Sequence, residues 1–307
     1  FYALLIIIES WLNEKSSQTH RGKILAIYTI IFYLATAIGQ LFLNIKGDTT
    51  YIIFILGSVL ILFSVLFISM TKIREPILKP FEKYSFPKLY SVVPLALTTS
   101  FIGGFYVGGF FTMIPIYLMQ KYSSVETVSL FMASSIIGGL ISQWPIGLLS
   151  DKYGRRKLIS INGFYISIIC VVFILSISYE YENMIYILGA LLGFSIFAIY
   201  PLALARANDV VDENKDIVEI SRALLFTYGV GSFIAPILLG FGLYYYNEFI
   251  FVVFAILGVF LGFYSLSKKR IADDHMSVFV NIPVASGGTV VELDPRQDLD
   301  YKKEYDE

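Results

Sequence analysis

Eight stretches of this chain are each long and apolar enough to cross a bilayer, and that repetition limits the fold more than any other feature. They are residues 24–45, 51–71, 91–119, 126–149, 158–179, 183–205, 217–244 and 248–267. A spanning helix needs about 20 mostly apolar residues. A soluble helical protein would show a polar face returning at every turn; these interiors are Ile, Leu, Phe and Gly throughout. The expected fold is an all-α polytopic membrane protein. Only 15% of the 307 residues are charged, where a soluble domain carries roughly 25%. The chain opens at Phe1 in an apolar run to Ile8 that is too short to span and has no basic flank. That run reads as part of a further helix, not as a signal peptide.

Charge placement sets the expected orientation. If the connections alternate sides, one side holds those near 14–23, 72–90, 152–157 and 206–222 together with the tail from 268. These carry all but two of the 23 Lys and Arg. The other side keeps Lys46 and Lys121 beside Asp48, Glu126, Glu180, Glu182 and Glu248. The positive-inside rule places the first set in the cytoplasm, and the expected location is a bacterial inner membrane.

The connection 72–90, with Pro76, Pro80 and Pro87, is the clearest internal boundary. Residues 1–71 then form the end of an N-terminal six-helix half, 72–90 a cytoplasmic linker and 91–267 a C-terminal six-helix half. Residues 268–307 form a flexible, acidic tail. A faint echo between 9–43 and 204–239, each running from an Asn-bearing helix end (Asn13, Asn208) into a Tyr-containing helix, suits parallel six-helix repeats. On this count the full protein has 12 helices, of which about eight and part of one are present.

The most specific segment runs Gly147-Leu148-Leu149-Ser150-Asp151-Lys152-Tyr153-Gly154-Arg155-Arg156-Lys157. Gly147 lets helices approach closely, and Gly154 suits a tight turn. Asp151 can sit against the positive end of a partner helix. Arg155 and Arg156 can pair with acids on neighbouring helix ends. A generic basic loop explains the cations but not the glycine–acid–glycine spacing. The segment resembles the loop signature of the major facilitator superfamily, in its copy between helices eight and nine. That resemblance implies a conformational latch, with Asp151 facing the helix start near Gly22 and Lys23. It also implies that Arg155 reaches the helix end carrying Asn208 and Asp209. Glu9-Ser10-Trp11-Leu12-Asn13, Gln143-Trp144-Pro145, Tyr200-Pro201-Leu202, Tyr228-Gly229-Val230-Gly231 and Pro283 to Arg296 resemble the bacterial YcaD-like branch.

The resemblance also implies a substrate site near the bilayer midplane between the halves. No Lys, Arg, Asp or Glu falls midspan, so a strongly charged solute has no counter-charge here and a neutral or weakly polar one is expected. The cavity candidates are Tyr33, Gln40, Tyr106, Thr112, Tyr200 and Tyr228, against the alternative that Tyr and Thr bond across helices. Glu9 is either a proton-coupling acid or a helix-end partner of Lys15 and Arg21, the second being favoured. Gln143 and Asn162, near helix ends, are expected to organise the signature loop. The lone Cys170 and the two histidines, His20 and His275, offer no metal site or disulfide framework. Neither a cofactor nor a metal is expected, and net charge −1 gives no argument for nucleic acid.

Function then reads as secondary active transport by alternating access, by a monomer, with a proton as the candidate coupling ion. No G-x-x-x-x-G-K-[ST] loop is present to serve ATP. The alternative is a non-transporting sensor or scaffold on the same fold. A membrane-embedded enzyme is less favoured, because no polar catalytic cluster shares one depth.

Overall fold

A computed structural model describes residues 21–45, 51–70, 93–177, 184–209 and 217–268, all their regular elements being helical. These are α1 (Arg21–Leu41, extended by a 3-10 turn Phe42–Asn44), α2 (Ile52–Met70), α3 (Pro94–Tyr122), α4 (Val125–Tyr153), α5 (Arg155–Ile177), α6 (Met184–Asn208), α7 (Ile217–Tyr245) and α8 (Phe249–Ser267). Among the described residues eight helices have the length and composition of membrane spans. The physical reason is shared: without water, a backbone must satisfy its own N–H and C=O groups. Hydroxyls obey the same rule. Thr36 donates to the Phe32 carbonyl at 2.7 Å, and Ser135 to that of Phe131 at 2.8 Å, one turn back along their own helices.

Local chemistry sets the helix ends. Pro94 begins α3, where a missing N–H costs nothing. Its end is Ser123, in left-handed backbone (φ 51). Ser124 then caps α4 by accepting from the Thr127 N–H at 3.1 Å, with Glu126 in the first turn where the helix dipole favours an acid. Pro115, Pro145, Pro201 and Pro236 all lie inside helices.

The six helices α3 to α8 form one packed unit. Its most extensive contacts join α3 to α7, α4 to α6 and α5 to α8. Numbered within the unit, these are the first with the fifth, second with fourth and third with sixth. Exchanging the first three helices for the last three maps this pairing onto itself, the mark of two three-helix repeats. α6 is the centre, buried nearly continuously from Leu192 to Asn208 apart from Phe194. α1 lies on α4 through a stripe of Thr29, Tyr33 and Ala37, spaced by four along one face. α2 has no buried residue.

Candidate functional site

The signature segment is a helical corner. α4 continues through Lys152 and Tyr153, Gly154 alone breaks it, and α5 starts at Arg155. Gly154 adopts φ 87, ψ 140 and donates its N–H to Ser150 O at 3.0 Å. That region of backbone space is nearly closed to other residues, so the glycine is required by its dihedrals. Space is not the constraint, since nothing would lie within 4 Å of an added Cβ.

Arg155 turns inward from this corner. Its Nη1 meets Ser150 Oγ and Asp151 Oδ1, and its Nε stands 3.6 Å from Asp209 Oδ2 at the end of α6. The Arg155 and Asp209 side chains are 0% and 1% exposed, whereas Asp151 is 43% exposed. At 3.6 Å the Arg155–Asp209 contact is an ion pair longer than a hydrogen bond. Arg206, also buried, is attracted by Asp209 and repelled by Arg156. Arg156 takes a different partner from the expected acid: its Nη1 donates to the carbonyl oxygen of Lys268, the C-cap of α8. Ser265 Oγ donates back to Arg156 O at 2.7 Å. The correction has a simple cause, since the last carbonyls of a helix lack intrahelical donors and lie at its negative end. The side chains of Gly22 and Lys23, the expected neighbours of Asp151, lie outside the described residues, as does Glu9.

A second group lies deeper. At about 1.5 Å per residue, Tyr33, Gln143 and Phe197 sit about 15–18 Å from the basic-side ends of α1, α4 and α6, half of a core about 30 Å thick. Gln143 Nε2 donates to Gly139 O at 3.1 Å and, at 3.5 Å, to Phe197 O and Tyr33 Oη. The Phe197 ring meets Tyr33 edge-on at 6.0 Å and Phe110 at 5.5 Å. Nearby on α6 and α7, Tyr200 and Tyr228 pack ring to ring at 5.0 Å. Tyr106 is elsewhere: fully buried, it donates to Phe254 O at 3.0 Å and packs on that ring at 4.9 Å. Thr112 bonds back to Gly108 O on its own helix, and Gln40 is half-buried on α1.

The family profile of the Major Facilitator Superfamily matches residues 2–218. The chain belongs to the Major Facilitator Superfamily. Its relatives include an uncharacterized MFS-type transporter of Yersinia pestis (strain Pestoides F), 30% identical over 237 residues, covering 75% of this chain and 59% of the relative. One from Enterobacter sp. (strain 638) is 25% identical over 275 residues, covering 88% of this chain and 69% of the relative. The YcaD protein of Escherichia coli O9:H4 (strain HS), also named an uncharacterized MFS-type transporter, is 28% identical over 233 residues, with 75% and 59% covered. The chain thus spans about 59% of the length of the first and last of these.

In this superfamily member the expected residues divide by what they touch. Asp151, Arg155 and Asp209 come together at the corner, with Gly147 buried in α4 and Gly154 at the break. Tyr200 meets Tyr228, and Tyr33 joins the mid-depth group. Tyr106 instead holds α8 to α3. Tyr106→Phe is expected to lower stability by about 1 kcal/mol, read as a lower melting temperature in detergent; an unchanged melting temperature would show that this bond does not hold the two helices together. Gln143 and Asn162 both bond to α6, Asn162 Nδ2 donating to Ser195 O at 3.0 Å. Ser150, Arg206 and Phe197 were not singled out from sequence. Ser150 stands inside the signature and Arg206 three residues before Asp209, which is signal enough; an apolar Phe in an apolar helix offers none.

Proposed function

We propose that the chain is part of a secondary transporter that moves a small, neutral or weakly polar organic solute across a bacterial inner membrane by alternating access. The observation that carries this reading is the contrast in depth. Every charged residue of the described spans lies near a helix end, while the mid-depth contact between α1 and the six-helix unit is made by Tyr33, Gln143 and Phe197. A centre without charged side chains favours an uncharged solute. The corner of Asp151, Arg155 and Asp209 serves as the latch that favours one conformation, with Arg156 tying α5 to α8. Residues 1–71 and 91–267 act as parts of two halves, and the basic side, the linker 72–90 and the tail from 268 face the cytoplasm.

The test uses the full-length protein in proteoliposomes. Flux of uncharged solutes supports transport, and saturable binding without flux identifies a sensor. Orientation is checked in cells by cysteine labelling, with the unsubstituted protein, in which Cys170 is buried, as the background control. An impermeant maleimide added outside is expected to label Glu126→Cys and Glu248→Cys but not Lys157→Cys; the reverse pattern would invert the topology.

A further inference from the structure

Gln143 carries a polar atom that the fold does not satisfy. Its side chain is buried, 2% exposed, at mid-depth in a chain whose spans face lipid. The carbonyl oxygens of Gly139 and Phe197 stand beside Nε2, and carbonyls only accept. Turning the amide over would set oxygen against oxygen, so its orientation is fixed by chemistry. Oε1 then points away from them and has no hydrogen-bond partner among the described residues. A hydroxyl in such a place could rotate and donate; an amide oxygen can only wait for a donor. The bonds made by Nε2 add little, because both carbonyls belong to helices with their own ladders. An orphaned acceptor is unfavourable in an interior without water, and a leucine would avoid it.

The side chains packed about the partners of this amide are aromatic and uncharged. Phe197 forms their centre, edge-on to Tyr33 and Phe110 and 5.9 Å from Phe111. Gly139 makes room for the ring, since an added Cβ there would strike it. Tyr33 covers the amide from α1 through a 3.5 Å contact, at the outer limit of a hydrogen bond. Separation of α1 from α4 would uncover Gln143.

We propose that Gln143 Oε1 is the acceptor that selects the solute, and that the solute is an uncharged aromatic molecule bearing at least one N–H or O–H donor. This rests on the transporter reading above and deepens it. A trapped water could also satisfy Oε1, given two or more polar neighbours, but it would confer no selection among solutes.

The test measures thermal stabilisation of the purified full-length protein by matched probes: indole against 1-methylindole, and phenol against anisole. Each pair keeps the ring and caps the donor with a methyl group. The donor member is expected to half-saturate at about a tenfold lower concentration, the effect of one hydrogen bond to a buried group. In Gln143→Leu, or Gln143→Met if the branched side chain clashes, the members of each pair converge. The unliganded melting temperature stays level or rises. Equal response within both pairs in the wild type, persistence of the preference in the variants, or no stabilisation by any of the four probes would overturn the proposal. A variant that melts lower yet keeps the preference assigns Gln143 to packing alone. Flux and cysteine labelling do not depend on these probes, so the transporter reading stands or falls separately.

Discussion

Asp209→Asn in the full-length protein is expected to cost about 3–5 kcal/mol of stability, while Asp151→Asn costs about 1 kcal/mol or less. The asymmetry follows from burial. Arg155 and Asp209 have both left solvent, and deleting one partner of this buried pair takes from Arg155 a buried counter-charge that the water-exposed Asp151 does not replace. Asp209 also attracts the buried Arg206, so its loss takes a counter-charge from a second buried guanidinium. Asp151 meets the same Arg155 from a side chain that water reaches, where ion pairs contribute little. Adding Arg155→Met to Asp209→Asn should recover part of the loss, because it removes the under-compensated buried charge; the polar amide left at position 209 and Arg206 prevent full recovery. Raising ionic strength should leave the Asp209 effect nearly unchanged, since buried pairs are weakly screened. Thermal unfolding in detergent measures all four. Comparable effects at Asp209 and Asp151 would contradict the burial argument, and with it the latch.

The spans were legible in the sequence, and facing was not; depth was misjudged at Gln143, which lies ten residues inside the helix Val125–Tyr153 because that helix runs past its apolar stretch. The span expected over 126–149 is the helix Val125–Tyr153, and that expected over 91–119 is Pro94–Tyr122. Both run past the apolar stretch because hydrogen bonding ends a helix, and Ser123 and Gly154 are the residues that turn the backbone. Tyr106 and Tyr33 sit at similar depths, yet one faces α8 and the other the contact between α1 and the six-helix unit. A helix apolar all round has no polar face to say which side meets which neighbour. The family resemblance implies the approach of Arg155 to the helix end carrying Asp209, and both partners are charged side chains. The partner of Arg156 is a main-chain carbonyl, which every residue has.

Gly104→Ala and Gly193→Ala are expected to destabilise the protein by similar amounts, about 1–3 kcal/mol each, while Gly229→Ala stabilises it slightly. An added Cβ at Gly104 would land on the carbonyl of Tyr228 across the α3–α7 seam, and one at Gly193 on the carbonyl of Ser135 across the α4–α6 seam. The obstacle in both cases is backbone, which cannot rotate aside, so the helices must part. Gly229 is exposed with nothing within 4 Å of an added Cβ, leaving only the helix preference of Ala over Gly, about 0.5–1 kcal/mol. The equality has its own origin. Exchanging the two three-helix repeats carries α3 onto α6 and α7 onto α4, which makes Gly104 and Gly193 equivalent positions. Gly231 and Gly138 are equivalent in the same way, an added Cβ at each striking the carbonyls of Phe101 and Ala190. The third seam, α5 with α8, is its own image and closes on Gly163 and Gly258. Close backbone contact is what lets membrane helices adhere when lipid competes for every apolar side chain. Three such seams hold the six helices in close backbone contact, as the proposed rocking against a second half would require. Unequal costs at Gly104 and Gly193 would show that the repeats share a pairing pattern without sharing its energetics.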